Sequence, residues 1–478
     1  MRVVLAGGGS AGHIEPALAL ADALRQADKS ISVTCLGTER GLETRLVPLR
    51  GYELELMPAV PLPRSLSAKY LTVPGRLAGA IHAVGKVLDK TGADVLVGFG
   101  GYVSAPAYLA AKRHNVPIVV HEANPRPGIA NRLGAMMTTH VFTGHPDARL
   151  RHARYIGLPI RRQIAELDRL ALGDTARGHF GLRTDMPVLL VTGGSQGARS
   201  LNRALAGAVD AILAAGVQVL HVTGPKHASE ISPPPGRAPY VAVPYVDRMD
   251  LAYAAADFAL CRAGAMTCAE LTAVGLPAAY VPLPIGNGEQ RLNAMPIVQQ
   301  GGGMIVDDAE LTPEWIKSSL LPVLTNVDRV VAMSEAAARL GRRDADRALA
   351  RAVIEVVAST PARPAAIAAA SAPATQPEPP AAGQQWPPQA PHLQAPHQQA
   401  PHQQAPGPLA RRQPGSRPQA PDYRSAPVPE GGFFQPTQER AASQRAASAR
   451  PAPGPASSPG TAPSPGTAPS PGRHRHAR

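Results

Sequence analysis

The feature that most constrains the fold is a pair of similar segments, each an apolar strand pattern that runs into glycines. One reads Val-Val-Leu-Ala-Gly-Gly-Gly-Ser-Ala-Gly at 3–12, and the other reads Leu-Leu-Val-Thr-Gly-Gly-Ser-Gln-Gly-Ala at 189–198. A short apolar strand, a glycine turn and a helix start are typical of the opening of a nucleotide-binding βαβ unit. Two such openings in a chain of 478 residues predict two similar domains in tandem.

Further apolar runs alternate with helical patterns and extend this architecture. A helix is predicted from about Glu15 to Gln26, directly after the first glycines. The alternation predicts the α/β class, with two Rossmann-like, doubly wound parallel sheets. The runs interpreted as buried strands lie at 3–6, 32–36, 94–98, 118–121, 188–192, 217–222 and 258–261.

The two openings also predict the domain organisation. We expect a first domain at 1–160 and a second at 161–361, with a last helix near 330–358 that packs back on the first. Ligands of doubly wound sheets bind beyond the carboxyl ends of the strands. Two such domains that face each other would therefore enclose one cleft.

The composition changes sharply after Pro361. Residues 362–478 are rich in Pro, Ala, Gln, Ser and Gly and repeat Gln-Ala-Pro-His near 394–406. Such sequence buries too little apolar area to offset its chain entropy, so we predict a disordered tail. We interpret the tail as a docking segment for proline-recognition modules or for an anionic surface. An extension without a selected role fits equally well.

The cysteines and the charge distribution indicate the compartment of the protein and the class of its partners. Three cysteines in different segments argue against a disulfide framework and fit a reducing compartment. No signal peptide is recognised, and no uninterrupted run of about 18 apolar residues predicts a spanning helix.

The formal net charge is +13, carried by 1–160 and the tail. A basic first half suits anionic lipid or a pyrophosphate. Nucleic acid is disfavoured because aromatic residues are only 4% and no recognised motif is present.

The first glycine segment, 7–12, satisfies the pattern G-x-G-x-x-G. Glycines let the backbone approach an anion at a helix N-terminus, so a phosphate is predicted there. The alternative is a tight turn without a ligand. A dinucleotide enzyme would place an acidic residue about 20 positions on, and Glu39 comes later than that. His13 follows the glycines and fits either a general base or a substrate contact.

Three segments of the second half carry polar groups that suit a nucleotide sugar. Ser195 adds a hydroxyl to the second glycine loop, where backbone amides could hold a diphosphate. Gly264, Ala265 and Thr267 permit close backbone approach, and Glu270 could accept both hydroxyls of a ribose. The alternative for Glu270 is a charge that stabilises its helix dipole. The loop 286–293 offers side-chain amides for a sugar's hydroxyls.

Taken together, these segments resemble the MurG family, in the same order and over about residues 1–345. The resemblance implies a GT-B fold and an inverting reaction that needs no metal and no cofactor. It implies transfer of N-acetylglucosamine from UDP-N-acetylglucosamine to undecaprenyl-pyrophosphoryl-N-acetylmuramoyl-pentapeptide, on the cytoplasmic side of the cell membrane. The matching segments are Gly-Gly-Ser-Ala-Gly-His at 8–13, Gly-Phe-Gly-Gly-Tyr-Val-Ser at 98–104, His-Glu-Ala-Asn at 121–124, Gly-Gly-Ser-Gln-Gly-Ala-Arg at 193–199, Arg-Ala-Gly-Ala-Met-Thr at 262–267 and the loop 290–293.

The resemblance also implies site residues. His13 is the first candidate for the catalytic base, and Glu122 is the second. The donor's diphosphate, ribose, uracil and sugar would be held mainly by the second domain. The implied substrate contacts are Ser10, Ala11, Gly12, Asn124, Arg161, Ser195, Val246, Ala265, Met266, Thr267, Cys268, Ala269, Glu270 and Gln290.

Some positions depart from the family's pattern or allow two interpretations. Glu289 and Leu158 stand where a glutamine and an asparagine are common in the family. Asp344 and Asp346 form the chain's Asp-x-Asp pattern, which we interpret as solvated surface and not as a metal site. At 69–90, apolar residues at helical spacing flanked by basic residues predict a helix lying on anionic lipid, or else a stripe that faces the core.

Three rival functions remain at this point. G-x-G-x-x-G also occurs in NAD-dependent oxidoreductases, which would bind NADH and not UDP. A non-catalytic nucleotide-sugar binding or scaffold protein would bind the donor without turnover. A transferase of the same fold could use another lipid or a small aglycone as its acceptor.

Overall fold

The structure is a computed structural model that describes residues 1–60, 73–226, 231, 236–285 and 287–361. The predicted disorder and docking role of 362–478 concern residues outside these ranges, as does Lys69 of the predicted surface helix. Both therefore stay predictions.

The first half of the chain forms a seven-stranded, all-parallel sheet in the order β3-β2-β1-β4-β5-β6-β7. The order reverses between β1 and β4, and this switch point opens a crevice beyond their carboxyl ends. The strands are β1 (Arg2–Gly7), β2 (Ser32–Gly37), β3 (Glu53–Leu56), β4 (Val95–Gly100), β5 (Ile118–Glu122), β6 (Val141–Thr143) and β7 (Ala153–Tyr155). The helices between them are α1 (Ala11–Ala27), α2 (Glu43–Leu49), α3 (Val73–Thr91), α4 (Ser104–Arg113) and α5 (Ile129–Ala135).

The second half forms a six-stranded parallel sheet in the order β10-β9-β8-β11-β12-β13, with its switch point between β8 and β11. Its strands are β8 (Val188–Thr192), β9 (Gln218–Val222), β10 (Tyr240–Val243), β11 (Phe258–Arg262), β12 (Ala278–Val281) and β13 (Gly303–Ile305). Its helices are α6 (Arg162–Ala165), α7 (Arg169–His179), α8 (Arg199–Ala206), α9 (Val209–Ala214), α10 (Met249–Ala255), α11 (Ala265–Val274), α12 (Glu289–Gln299), α13 (Pro313–Trp315), α14 (Leu321–Leu324), α15 (Val327–Leu340) and α16 (Ala345–Ser359), with a π-helical turn at Ile316–Leu320. Two parallel sheets with alternating helices confirm the predicted fold class.

The central strands are mostly apolar because helices cover both faces of each sheet. In β1, Val3 and Leu5 belong to one buried cluster, together with Leu18 of α1. Val4, between them, belongs to the opposite cluster, together with Val84 of α3. This two-sided burial fixes the strand ends that carry the glycine loops.

Helix α16 belongs to the second half of the chain but packs on the first. Its Leu349 and Val353 lie fully buried in the same cluster as Leu20 of α1. The single helix expected near 330–358 is thus two helices, α15 and α16, which are separated at Gly341. A Cβ at Gly341 would lie 2.5 Å from the carbonyl oxygen of Thr272, so the backbones meet too closely for a larger residue.

Helix α3 turns its apolar stripe inward. Val84 and Leu88 are fully buried, and Leu77 and Ile81 pack partly buried against the same cluster. Of the two interpretations of this stripe, the one in which it faces the domain core is therefore confirmed for Val84 and Leu88, and these two side chains do not lie on lipid. Among the described residues, no helix is long and apolar enough to cross a bilayer.

The Asp-x-Asp pattern lies at the start of α16. Asp344 is exposed, as expected of a solvated surface, but Asp346 is only 6% exposed. Burial raises the pKa of Asp346, which Arg347 and Arg162 partly oppose. The surface interpretation was wrong for Asp346 because α16 packs this turn of the helix against the rest of the molecule.

The three cysteines, Cys35, Cys261 and Cys268, are free and buried. Burial raises the pKa of Cys35 and of Cys261 to about 12. Both thiols therefore stay protonated and are poor nucleophiles.

Candidate active site

The two sheets contribute loops that meet in one cleft. Asn293 of α12 donates from Nδ2 to the carbonyl oxygen of Ala263 at 3.2 Å and lies 3.5 Å from Oδ1 of Asn124. Arg126, two residues after Asn124, donates to the carbonyl oxygen of Asn287. The loop after β5 in the first half therefore contacts the start of α12 in the second.

His13 lies in the first turn of α1, where the first glycine loop ends. A Cβ at Gly100 would lie 3.3 Å from Cδ2 and Nε2 of the His13 ring, which is a tight contact, and the φ of +95° at Gly100 also favours glycine at the end of β4. Nδ1 of His13 is 3.1 Å from Oγ of Ser10. Burial lowers the pKa of His13, and the charge of Glu122 opposes this shift. The ring is therefore neutral near pH 7, the form that a general base requires.

The second base candidate, Glu122, is 4% exposed at the end of β5. Its Oε1 accepts from the backbone N–H of Asn124 at 2.9 Å. Its Oε2 accepts from the N–H of Gly128 and from Nδ2 of Asn131, both at 3.0 Å. A carboxylate with both oxygens engaged holds its loop in place, so the geometry favours His13 as the base.

The second glycine loop is shaped by backbone crowding. A Cβ at Gly193 would lie 2.3 Å from the amide nitrogen of Ala198, and one at Gly197 would lie 2.3 Å from the carbonyl oxygen of Thr223. Ser195 is exposed between these glycines. The loop leads into α8, so Ser195 precedes a helix N-terminus, where an anion is favoured.

The start of α11 offers unused backbone donors. The amide of Cys268 makes the first intrahelical bond, 2.9 Å to the carbonyl oxygen of Gly264. The amides of Ala265, Met266 and Thr267 precede it and so lack an intrahelical acceptor. These three residues are partly exposed, whereas the thiol of Cys268 lies beneath them, buried. Within the predicted segment 265–270, residues 265–267 are thus the ones that offer free amides to an anion.

Glu270 and Arg161, which were predicted to contact a donor, contact each other. Nε and Nη2 of Arg161 donate to Oε1 of Glu270 at 3.1 and 2.9 Å. Oε2 of Glu270 accepts from the hydroxyl of Tyr253 at 2.9 Å. Glu270 lies in the second turn of α11 and is 4% exposed. Sequence patterns gave no sign of Tyr253, because an aromatic residue on a buried helix is typical of a core.

The remaining predicted contacts lie at the ends of neighbouring elements. Oε1 of Gln290 accepts from the backbone N–H of Leu283 at 3.0 Å, which leaves its Nε2 to donate. Val246 is buried after β10, beside the half-exposed Tyr245. The guanidinium of Arg45, from α2, lies 5.9 Å from the centre of the Tyr245 ring. This contact between the halves had no signal in the sequence.

Comparison with known proteins identifies the family. The glycosyltransferase family 28 N-terminal domain matches residues 3–143, and the C-terminal domain of the same family matches residues 188–349. A Thermobifida fusca protein named UDP-N-acetylglucosamine--N-acetylmuramyl-(pentapeptide) pyrophosphoryl-undecaprenol N-acetylglucosamine transferase is 65% identical over 357 residues, which are 74% of this chain and 94% of that protein. A Streptomyces avermitilis protein of the same name is 62% identical over 360 residues, 75% of this chain and 99% of that protein. This chain belongs to the MurG family.

A solved structure supports the same assignment. The crystal structure of Acinetobacter baumannii MurG superposes with a TM-score of 0.61 at 25% identity, over 74% of this chain and 99% of that one. The predicted family, the GT-B fold and the enzyme class are thereby confirmed. The residues assigned to individual roles within the MurG fold are not tested by these similarities and stay predictions.

Proposed function

We propose that this chain transfers N-acetylglucosamine from UDP-N-acetylglucosamine to undecaprenyl-pyrophosphoryl-N-acetylmuramoyl-pentapeptide, a step of peptidoglycan synthesis. The observation that carries this proposal is the 65% identity to a relative named for this reaction, over 94% of that relative. The cleft adds chemical support, since it combines a neutral histidine with helix N-termini suited to a diphosphate.

The donor binds in the second half of the chain, 161–361. The free amides at 265–267 belong to the N-terminus of α11, and Ser195 lies in the loop that leads into α8. These amides and the hydroxyl of Ser195 hold the diphosphate. Val246 flanks the uracil, and Gln290, with a free side-chain N–H, donates to the sugar. Arg161 and Glu270 serve the diphosphate and the ribose, which requires their mutual ion pair to rearrange or to be shared.

The acceptor binds in the first half, 1–160. Ser10, Ala11 and Gly12, which begin α1, face the donor across the cleft, and Asn124 follows the loop that Glu122 holds. The acceptor's hydroxyl attacks the anomeric carbon of the sugar while His13 removes its proton. The C–O bond to UDP breaks as the new glycosidic bond forms, so the configuration inverts. Amides and Arg161 stabilise the charge of the leaving diphosphate, a role that elsewhere falls to a metal ion.

The protein acts as a peripheral protein on the cytoplasmic side of the cell membrane. Two features support this location: a lipid-linked acceptor stays in the bilayer, and the basic first half suits anionic lipid. Cell-wall or division proteins remain our predicted partners for 362–478.

The test is transfer of radiolabelled sugar from UDP-N-acetylglucosamine to the lipid-linked muramoyl-pentapeptide, with EDTA present. The full chain and a variant that ends at residue 361 are compared, with the His13→Ala variant as the inactive control. Labelled lipid from both active forms supports the donor, the acceptor and metal independence together.

Other outcomes identify the rival functions. UDP binding without product with this acceptor or with other lipids would favour a binding or scaffold protein. Product only with another lipid or a small aglycone would replace the acceptor. Binding of NADH and not of UDP would overturn the proposal.

A further inference from the structure

A buried carboxylate lies directly behind the first glycine loop. Glu43, the first residue of α2, is 0% exposed. Its Oε2 accepts from the backbone N–H of Gly9 at 3.1 Å. Its Oε1 accepts from the backbone N–H of Thr38 at 2.9 Å and from the Thr38 hydroxyl at 3.1 Å. All three partners are donors, which suits an ionised carboxylate, a group that only accepts.

The surrounding glycines make room for this side chain. A Cβ at Gly41 would lie 2.0 Å from the carboxylate of Glu43, and one at Gly37 would lie 2.4 Å from its Cγ. A Cβ at Gly8 would approach Oε1 of Glu43 to 3.1 Å. These glycines therefore accommodate a carboxylate of the protein itself, which the pattern G-x-G-x-x-G does not reveal.

Tyr102 encloses the loop from the other side. A Cβ at Gly9 would lie 2.6 Å from Cε1 of Tyr102, and Gly9 has a φ of +90°, which favours glycine. The hydroxyl of Tyr102 is 3.4 Å from Oγ of Thr38. Gly9 is thus held between Glu43 and Tyr102, and the next residue, Ser10, contacts His13.

We propose that Glu43 is a positioning residue for glycosyl transfer, which fixes Gly9 and, through it, the Ser10–His13 pair. This inference rests on the proposed function. Glu43 acts through the loop and contacts no substrate. Because its charge already occupies the amide of Gly9, an anion in the cleft binds at the start of α1, from Ser10 onward, and not at Gly9. The predicted phosphate loop is in part an internal carboxylate site.

The test compares Glu43→Gln with Glu39→Gln, which makes the same change four residues earlier at an exposed position. Glu43→Gln keeps the shape but places an amide where two acceptor oxygens are needed. We expect kcat to fall by roughly 10²-fold, since a catalytic group displaced by about 1 Å costs that much. The donor KM and the affinity for UDP should stay within about twofold, because the groups proposed to hold the diphosphate, the uracil and the sugar lie in the second half. Glu39→Gln should match the wild type.

Hydrogen exchange measured by mass spectrometry gives a readout that does not depend on turnover. Amides in 7–13 should exchange faster in Glu43→Gln than in the wild type, while the second glycine loop is unchanged. If Glu43→Gln does not fold, Thr38→Val removes one of the three donors and should give a smaller effect in the same direction.

Two results would overturn the inference. One is an unchanged kcat in Glu43→Gln. The other is a parallel loss of kcat, UDP affinity and protection over the whole domain, which would indicate a general structural role. An inactive wild type would refute the proposed function instead, and the exchange experiment would still test the contact between Glu43 and Gly9.

Discussion

Arg161 and Glu270 form an ion pair that leaves Glu270 5% and Arg161 21% exposed at the side chain. Burial alone would lower the pKa of Arg161, but Glu270, together with Glu15 and Tyr253, raises it. Arg161 lies in the segment between the two sheets, and Glu270 lies in helix α11, so the ion pair connects that segment to the helix. Each side chain thus neutralises the charge that the other would otherwise present to a nucleotide.

Breaking this pair from one side should destabilise the protein strongly. Arg161→Ala and Glu270→Ala should each lower the free energy of unfolding by about 3–5 kcal/mol, because each leaves a desolvated charge without its partner. The loss of free energy of unfolding in the double variant should be smaller than the sum of the two single losses, and the difference should be roughly 0.5–3 kcal/mol. Chemical denaturation of the four proteins checks this. Additive losses would mean that the two charges are independent in solution.

The pH dependence of turnover should follow His13. Because burial lowers the pKa of His13, the neutral base persists below the usual value of 6.5, and the acid limb of the kcat/KM profile should lie below that value. Glu122 opposes the shift, so Glu122→Gln should move the limb to still lower pH. His13→Ala should lower kcat by roughly 10²–10⁴-fold and abolish the limb. A limb that persists in His13→Ala would assign the base to another group.

Much of the fold could be predicted from the sequence. The central strands, such as β1, β8 and β11, are continuous apolar runs because they are buried on both faces. The edge strands β3 and β10 were not predicted. In β3, Glu53 and Glu55 weaken the apolar signal, as is common at the edge of a sheet. Strand β10 is apolar, but with only four residues it is too short to be recognised from its pattern.

The site was less predictable than the fold. Motif spacing predicted His13, Ser195 and the start of α11 as site candidates, because glycine loops at strand ends have a strong local pattern. It could not show that Glu43 occupies the first loop or that Tyr253 bonds Glu270. Those contacts join residues far apart in the sequence, and each partner taken alone resembles an ordinary surface charge or core aromatic.

Two buried histidines should make the protein sensitive to acid. Burial lowers the pKa of His121 and of His221 to about 4, against 6.5 for an exposed histidine. Between these values the unfolded chain binds protons that the folded chain does not, so stability falls as pH decreases from about 6.5 towards 4. The slope should be roughly 1.4 kcal/mol per pH unit for each histidine. His221→Asn should make the free energy of unfolding depend less steeply on pH. An unaltered slope would show that folding does not lower the pKa of His221.

The contact between Arg45 and Tyr245 should contribute to closure of the cleft over the donor. Arg45 comes from α2 in the first half, and Tyr245 precedes Val246, which we assign to the uracil site. A guanidinium near an exposed aromatic ring contributes about 0.5–1 kcal/mol, so Tyr245→Ala and Arg45→Ala should each raise the donor KM about two- to fivefold. If both residues act through this contact, the donor KM of the double variant should be no higher than that of the single variant with the larger increase. Tyr245→Phe keeps the ring and should match the wild type. Effects that add in the double variant, measured by initial rates at varied donor concentration, would show that the two residues act separately.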